Sequence, residues 1–115
     1  MKHIKDLLVN IVEGIKEKKG TEITQVDLTG IPGTICDYFI ICEGSSPTQI
    51  GAIAESVERV VKENLDVNPI RVQGQRLADW IGVDYGDVIV HIFLPDVRRH
   101  YNIESLWSDA DFESF

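Results

Sequence analysis

Cysteine is scarce in this chain. Two thiols, Cys36 and Cys42, stand in 115 residues, which excludes a disulfide framework, and their spacing fits no paired-thiolate pattern for zinc or dithiol redox chemistry. Two small buried apolar side chains in a reducing compartment is their plain reading. Long apolar runs are absent as well. None approaches the ~18 residues of a membrane span, and Lys5, Asp6 and Asn10 interrupt the N-terminal stretch where a secretory segment would be apolar. The cytoplasm is the expected location, with no membrane contact. Bases are the third shortage. Eleven Lys and Arg face nineteen Asp and Glu, a net charge of −8, which opposes sequence-independent attraction to phosphate backbones or anionic lipid. Nucleic acid is disfavoured as a direct partner.

What is present is an ordinary globular composition, 43% hydrophobic and 26% charged, enough for one core. A single domain is expected over residues 1–108, with a loosely held acidic tail over 109–115. Ile4, Leu7, Leu8, Ile11, Val12 and Ile15 recur at helical spacing, which predicts a packing helix from about Lys2 to Lys18 with Gly20 as its stop. Thr24, Val26 and Leu28 alternate with polar neighbours, as in a strand over 22–28 with one wet face. The apolar run Asp37 to Cys42 reads as a central strand covered on both faces. Ser46, Pro47 and Gln49 then form a helix start, and Ile50, Ile53, Ala54, Val57, Val60 and Val61 give that helix its buried side as far as Asn64. Pro69 to Gln73 reads as a strand, and Trp80 to Phe93 as two strands around a turn at Tyr85-Gly86. A short helix is expected around Ile103 to Trp107. Strands interleaved with helices make the fold class α/β, a mixed sheet flanked by helices.

Several local features invite chemistry. Gly44-Ser45-Ser46 before a helix could hold a phosphate, but it lacks the lysine and glycine spacing of a P-loop, no dinucleotide fingerprint is present, and ordinary capping outweighs the phosphate reading. The same turn resembles the opening of nucleotidyltransferase sites, which need paired carboxylates on a neighbouring strand to hold magnesium. The acid pair Asp109 and Asp111 lies in the tail instead. Asp84 and Asp87 flank a turn, where aspartates usually accept local backbone hydrogen bonds. His91 shares a strand face with Ile89 and Phe93, as a hydrogen-bonded, largely buried imidazole would. No thiol or hydroxyl arrangement singles out a nucleophile; no catalytic residue, metal or cofactor is expected. Trp80, Tyr85, Tyr101 and Trp107 bracket the most acidic third of the chain, where eight acids accompany two bases. Aromatic anchors in an acidic field point to a basic protein surface.

The string Ala78-Asp79-Trp80-Ile81-Gly82-Val83-Asp84-Tyr85-Gly86-Asp87-Val88-Ile89-Val90-His91-Ile92-Phe93, followed by Arg98-Arg99-His100-Tyr101-Asn102-Ile103-Glu104-Ser105-Leu106-Trp107, closely resembles the ribosomal silencing factor (RsfS, Iojap) family. Asp37 to Cys42, Gly44-Ser45-Ser46 and Val72-Gln73-Gly74 fit the same pattern, so the resemblance runs from Leu8 to Asp109. It implies a nucleotidyltransferase-like fold lacking the catalytic carboxylates. It also implies a non-enzymatic factor that binds the large ribosomal subunit through the ribosomal protein numbered fourteen, blocks joining of the small subunit and represses translation when nutrients are scarce. Organelle relatives act in large-subunit assembly. Within that reading Trp80, Tyr85 and Tyr101 are the expected anchors, Asp84, Asp87 and Glu104 the charge partners, and Arg98 an internal brace or rim contact. Two alternatives from other classes stay open: a transferase using the Gly44-Ser45-Ser46 turn, and a homodimeric adaptor whose aromatic patch serves self-association.

Overall fold

A computed structural model describes residues 4–115 of the chain. In α1 (Ile4–Glu17) the apolar stripe turns Leu8, Ile11, Val12 and Ile15 inward; Lys2 and His3, the expected start, lie outside the described residues. The helix ends at Glu17, and its left-handed stop falls one residue before Gly20. Lys19 takes the left-handed conformation (φ 61°), and Gly20 N–H then reaches back to the Ile15 carbonyl at 3.0 Å. Glycine is needed here for room, since a Cβ would sit 2.3 Å from Ile15 Cγ2.

The chain continues through β1 (Thr21–Asp27), β2 (Tyr38–Glu43), α2 (Pro47–Leu65), β3 (Arg71–Gln73), β4 (Trp80–Asp84), β5 (Val88–Phe93), α3 (Pro95–Tyr101), a 3₁₀ turn (Ile103–Trp107) and β6 (Asp111–Ser114). One sheet has the order β3-β4-β5-β2-β1-β6. Only β2 and β5 run parallel among these neighbours; every other pair is antiparallel. A parallel pair buried on both faces should be apolar throughout, and β2 obeys: Ile40 and Cys42 join one core while Phe39 and Ile41 join the other.

The first core lies under α1 and α2. The two helices approach closely because position 14 is glycine; a Cβ there would meet Val57 Cα at 2.8 Å. Ser56 Oγ donates to the Gly14 carbonyl across the crossing at 2.7 Å, so this buried hydroxyl is satisfied. At the start of α2, Ser46 Oγ accepts from Gln49 N–H at 3.1 Å. The Gln49 carbonyl oxygen accepts from Ser45 N–H at 2.7 Å, one residue before the standard capping-box donor. Its amide donates to the Lys18 and Lys19 carbonyls, which ties the α2 start to the α1 end.

Three expectations are corrected. The Pro95–Tyr101 helix was not foreseen; Pro95 occupies its first turn, where a missing N–H costs nothing. The hairpin turn is Gly86-Asp87 rather than Tyr85-Gly86, because Tyr85 pairs back to Val88 (2.9 Å) and Gly86 supplies the positive φ of 89°. The acidic segment over 109–115 is not a loose tail: Asp111–Ser114 pairs with β1 along its length, and the sheet extends beyond residue 108. No helix among the described residues is long and apolar enough to cross a membrane.

Candidate partner-binding face

Alternation along β4 and β5 divides the expected site between two sheet faces. Trp80, Gly82 and Asp84 project away from α1 and α2, as do Ile89 and His91. Ile81, Val83 and Tyr85 project toward the helices. Loop 28–36, α3 and the 3₁₀ turn cover only part of the outer face. They leave a cleft of about 480 Å³, lined by Ile35, Trp80, Gly82, Asp84, Ile89 and His91 among others.

Aromatic rings connect this cleft to the C-terminal helices. Trp80 packs against Phe93 at 4.8 Å between centroids and against Tyr101 at 4.9 Å. His91 meets Phe39 edge-on at 4.7 Å, and Phe39 meets Trp107 at 6.3 Å. Trp80 Nε1–H donates to His91 Nδ1 at 3.0 Å. This bond requires an unprotonated Nδ1, which places the proton of the neutral imidazole on Nε2. Burial pushes the His91 pKa down to about 4, so the ring is neutral at neutral pH and the bond persists.

Arg98 organises the segment that carries Tyr101. Its side chain is 10% exposed, and each of the five N–H donors of a guanidinium finds an acceptor. Nε and Nη2 grip the Glu104 carboxylate at 3.1 and 2.9 Å; Nη1 reaches the Glu22 carbonyl at 2.7 Å and Glu43 at 3.1 Å; Nη2 also reaches Thr24 Oγ1 at 3.3 Å. Burial opposes its charge, and Glu104 with Glu43 more than offsets that opposition, so the pKa is raised. Asn102, in left-handed backbone (φ 44°), turns the chain from α3 into the 3₁₀ turn so that Glu104 can fold back.

The expected site residues therefore separate. Trp80 and Tyr101 lie together, Tyr101 being 55% exposed. Tyr85 does not join them: it is buried in the core beneath the helices, where burial and then Glu58 raise its pKa. An anchor for a partner cannot be drawn from that layer. Glu104 and Arg98 face each other inside the molecule, which makes them braces for the face rather than charges on it. Asp84 accepts from Gly86 N–H at 2.7 Å and holds the hairpin turn, with Arg71 nearby at 3.9 Å. Asp87 is exposed at the end of that turn. Sequence reasoning missed Ile35, which is 79% exposed at the cleft, and the exposed Leu77 and Leu106 in segments flanking Trp80 and following Tyr101. Lone apolar residues in loops carry no periodic signal, so only their placement reveals them.

Cys36 and Cys42 are free and buried, as the plain reading had them. The Gly44-Ser45-Ser46 turn is capped from within, since Gln49 takes the Ser45 N–H that an anion would use. Among the described residues, no group of three or more His, Cys, Asp or Glu side chains is placed to hold a metal ion.

Comparison with known proteins gives a consistent set of relatives. A family model described as "Ribosomal silencing factor during starvation" matches residues 1–114. The ribosomal silencing factor RsfS of Bacillus subtilis is 40% identical over 109 residues, covering 92% of this chain and 88% of the relative. A crystal structure of a Chromobacterium violaceum protein superposes with a TM-score of 0.87 at 33% identity, covering 93% of this chain and 88% of the other. The mouse protein named "Mitochondrial assembly of ribosomal large subunit protein 1" is 30% identical over 79 residues, 67% of this chain and 35% of its own length.

Proposed function

Because the chain belongs to the ribosomal silencing factor (RsfS) family, we propose that it binds the large ribosomal subunit with its outer sheet face and blocks joining of the small subunit. Translation is then repressed when nutrients are scarce. The observation that carries this reading is the exposed Tyr101 ring packed at a tilt against Trp80 beside an open cleft, in a chain of net charge −8. Such a surface suits a basic ribosomal protein, and the large-subunit protein numbered fourteen is the specific partner proposed. The mouse relative, named for assembly of the ribosomal large subunit, supports a partner in that subunit. The site of action is the cytoplasm.

The mechanism is steric and involves no turnover. An interface of about 800 Å² per partner is a standard size for stable recognition, and a domain held there occupies space that the small subunit requires. The acidic surface raises the encounter rate, while Trp80, Tyr101 and the apolar cleft lining set the dissociation rate. A second copy of the chain would compete for the same aromatic face.

The test is subunit joining, followed by light scattering with purified subunits. Saturating protein should suppress formation of the joined ribosome, and Trp80→Ala with Tyr101→Ala should relieve that suppression. Joining at an unchanged rate in the presence of the unsubstituted protein sinks the proposal.

A further inference from the structure

A second surface lies on the opposite side of the sheet. α1 and α2 do not cover the whole helix-side face, and a groove of about 550 Å³ remains between α1 and the β1–β6 edge. Leu8, Val9, Val12, Glu13, Gln25 and Phe115 line it. Val9 is 63% and Phe115 47% exposed, so this apolar wall faces solvent. Gln25 is paired with Glu113 across the β1–β6 ladder, and strand alternation therefore puts Asp111, Glu113 and Phe115 on the groove side.

β6 is the last strand of the sheet order, so its outer edge offers unpaired backbone N–H and C=O groups. Charge decides what can use them. Glu13 and Glu113 stand on the groove side with Asp111 at the edge, while Glu17 is held by Arg59 at 2.8 Å. The lining includes a single base, Lys16. A second copy fits poorly: antiparallel self-pairing centred on Phe112 sets Asp111 opposite Glu113, and pairing centred on Glu113 sets that residue against itself. A strand whose groove-side positions carry both bases and apolar residues meets both demands.

We infer that the β6 edge and its groove accept an extended basic and apolar segment of a second protein, added as a seventh strand with its apolar side chains against Val9, Val12 and Phe115. Backbone pairing supplies the attachment, and the acidic flank selects the segment. This surface and the Trp80 face are on opposite sides of the sheet, so both can be occupied at once.

The test is a titration of the full chain, read by amide NMR, with two short synthetic peptides of equal length, one repeating Val-Thr-Lys-Thr and the other Val-Thr-Glu-Thr, so that the apolar and charged side chains of each share one face of the strand. The Lys/Val peptide should shift the amides of Val9, Val12, Gln25 and residues 111–115 and slow hydrogen exchange along β6. It should leave Trp80 and Tyr101 unmoved. Glu113→Lys should weaken it about fivefold, and Val9→Asp, also at an exposed position, should weaken it further. Equal shifts from the Glu/Val peptide, shifts confined to the Trp80 face, no shift at millimolar peptide, or self-association through these same residues would each overturn the inference.

Discussion

Trp80 Nε1–H and His91 Nδ1 meet at 3.0 Å across two adjacent antiparallel strands. The bond couples the protonation of a histidine to the seating of the aromatic residue that tops the candidate face. Burial lowers the folded His91 pKa to about 4 from 6.5. The unfolded state therefore binds the proton more readily, and stability falls as pH drops from about 6.5 toward 4 and levels off below. The full loss is on the order of 3 kcal/mol. Urea unfolding across that range should show a pH dependence that His91→Gln reduces, because its side-chain carbonyl can accept from Trp80 without titrating.

Arg98 should be the most costly charge to remove. Arg98→Met leaves the half-buried Glu43 and Glu104 carboxylates without their shared cation. A loss of about 3–5 kcal/mol follows from breaking such a pair on one side. Arg98→Lys keeps the charge but cannot reproduce the fork, and should fall between Met and Arg. Chemical denaturation measures both, and equal stability of all three proteins would remove Arg98 as the brace.

Gly14→Val should push α1 away from α2, since even a Cβ would meet Val57 Cα at 2.8 Å. Overpacking of this kind costs about 1–3 kcal/mol. The midpoint of thermal unfolding should fall accordingly, whereas Gly51→Ala, where a Cβ meets nothing within 4 Å, should raise it slightly by improving helix propensity.

Both thiols should be silent to an aromatic disulfide reagent at pH 8 in the native protein and fully reactive in urea. Cys36 is pushed up to about 11 by burial, and Cys42 is raised further by the same cause. Rapid native labelling of either would contradict the packing described for it.

The helices were legible because Ile4 to Ile15 and Ile50 to Val61 carry the full helical period, and the central strand because its apolar run is unbroken. The division of the site was also written in the chain. Trp80 and Tyr85 are five residues apart, an odd spacing that sends them to opposite faces of a strand, yet their common chemistry suggested a common surface. Arg98 could be read only as a brace or a rim contact, because its acceptor Glu22 is 76 residues distant and no local pattern announces such a pairing. β6 was missed because all four of its side chains are exposed; a strand that buries nothing leaves little hydrophobic alternation to detect. Pro95 marked the start of α3, but seven residues are too few for a periodic signal.

The pairing of β6 with β1 joins the first strand made to the sixth. During synthesis, a chain that has emerged only through the 3₁₀ turn holds five strands and leaves the flank of β1 bare. Such a nascent chain offers the flank of β1 to a neighbour on the same message until β6 pairs there, after which the acidic β6 edge takes the outer position.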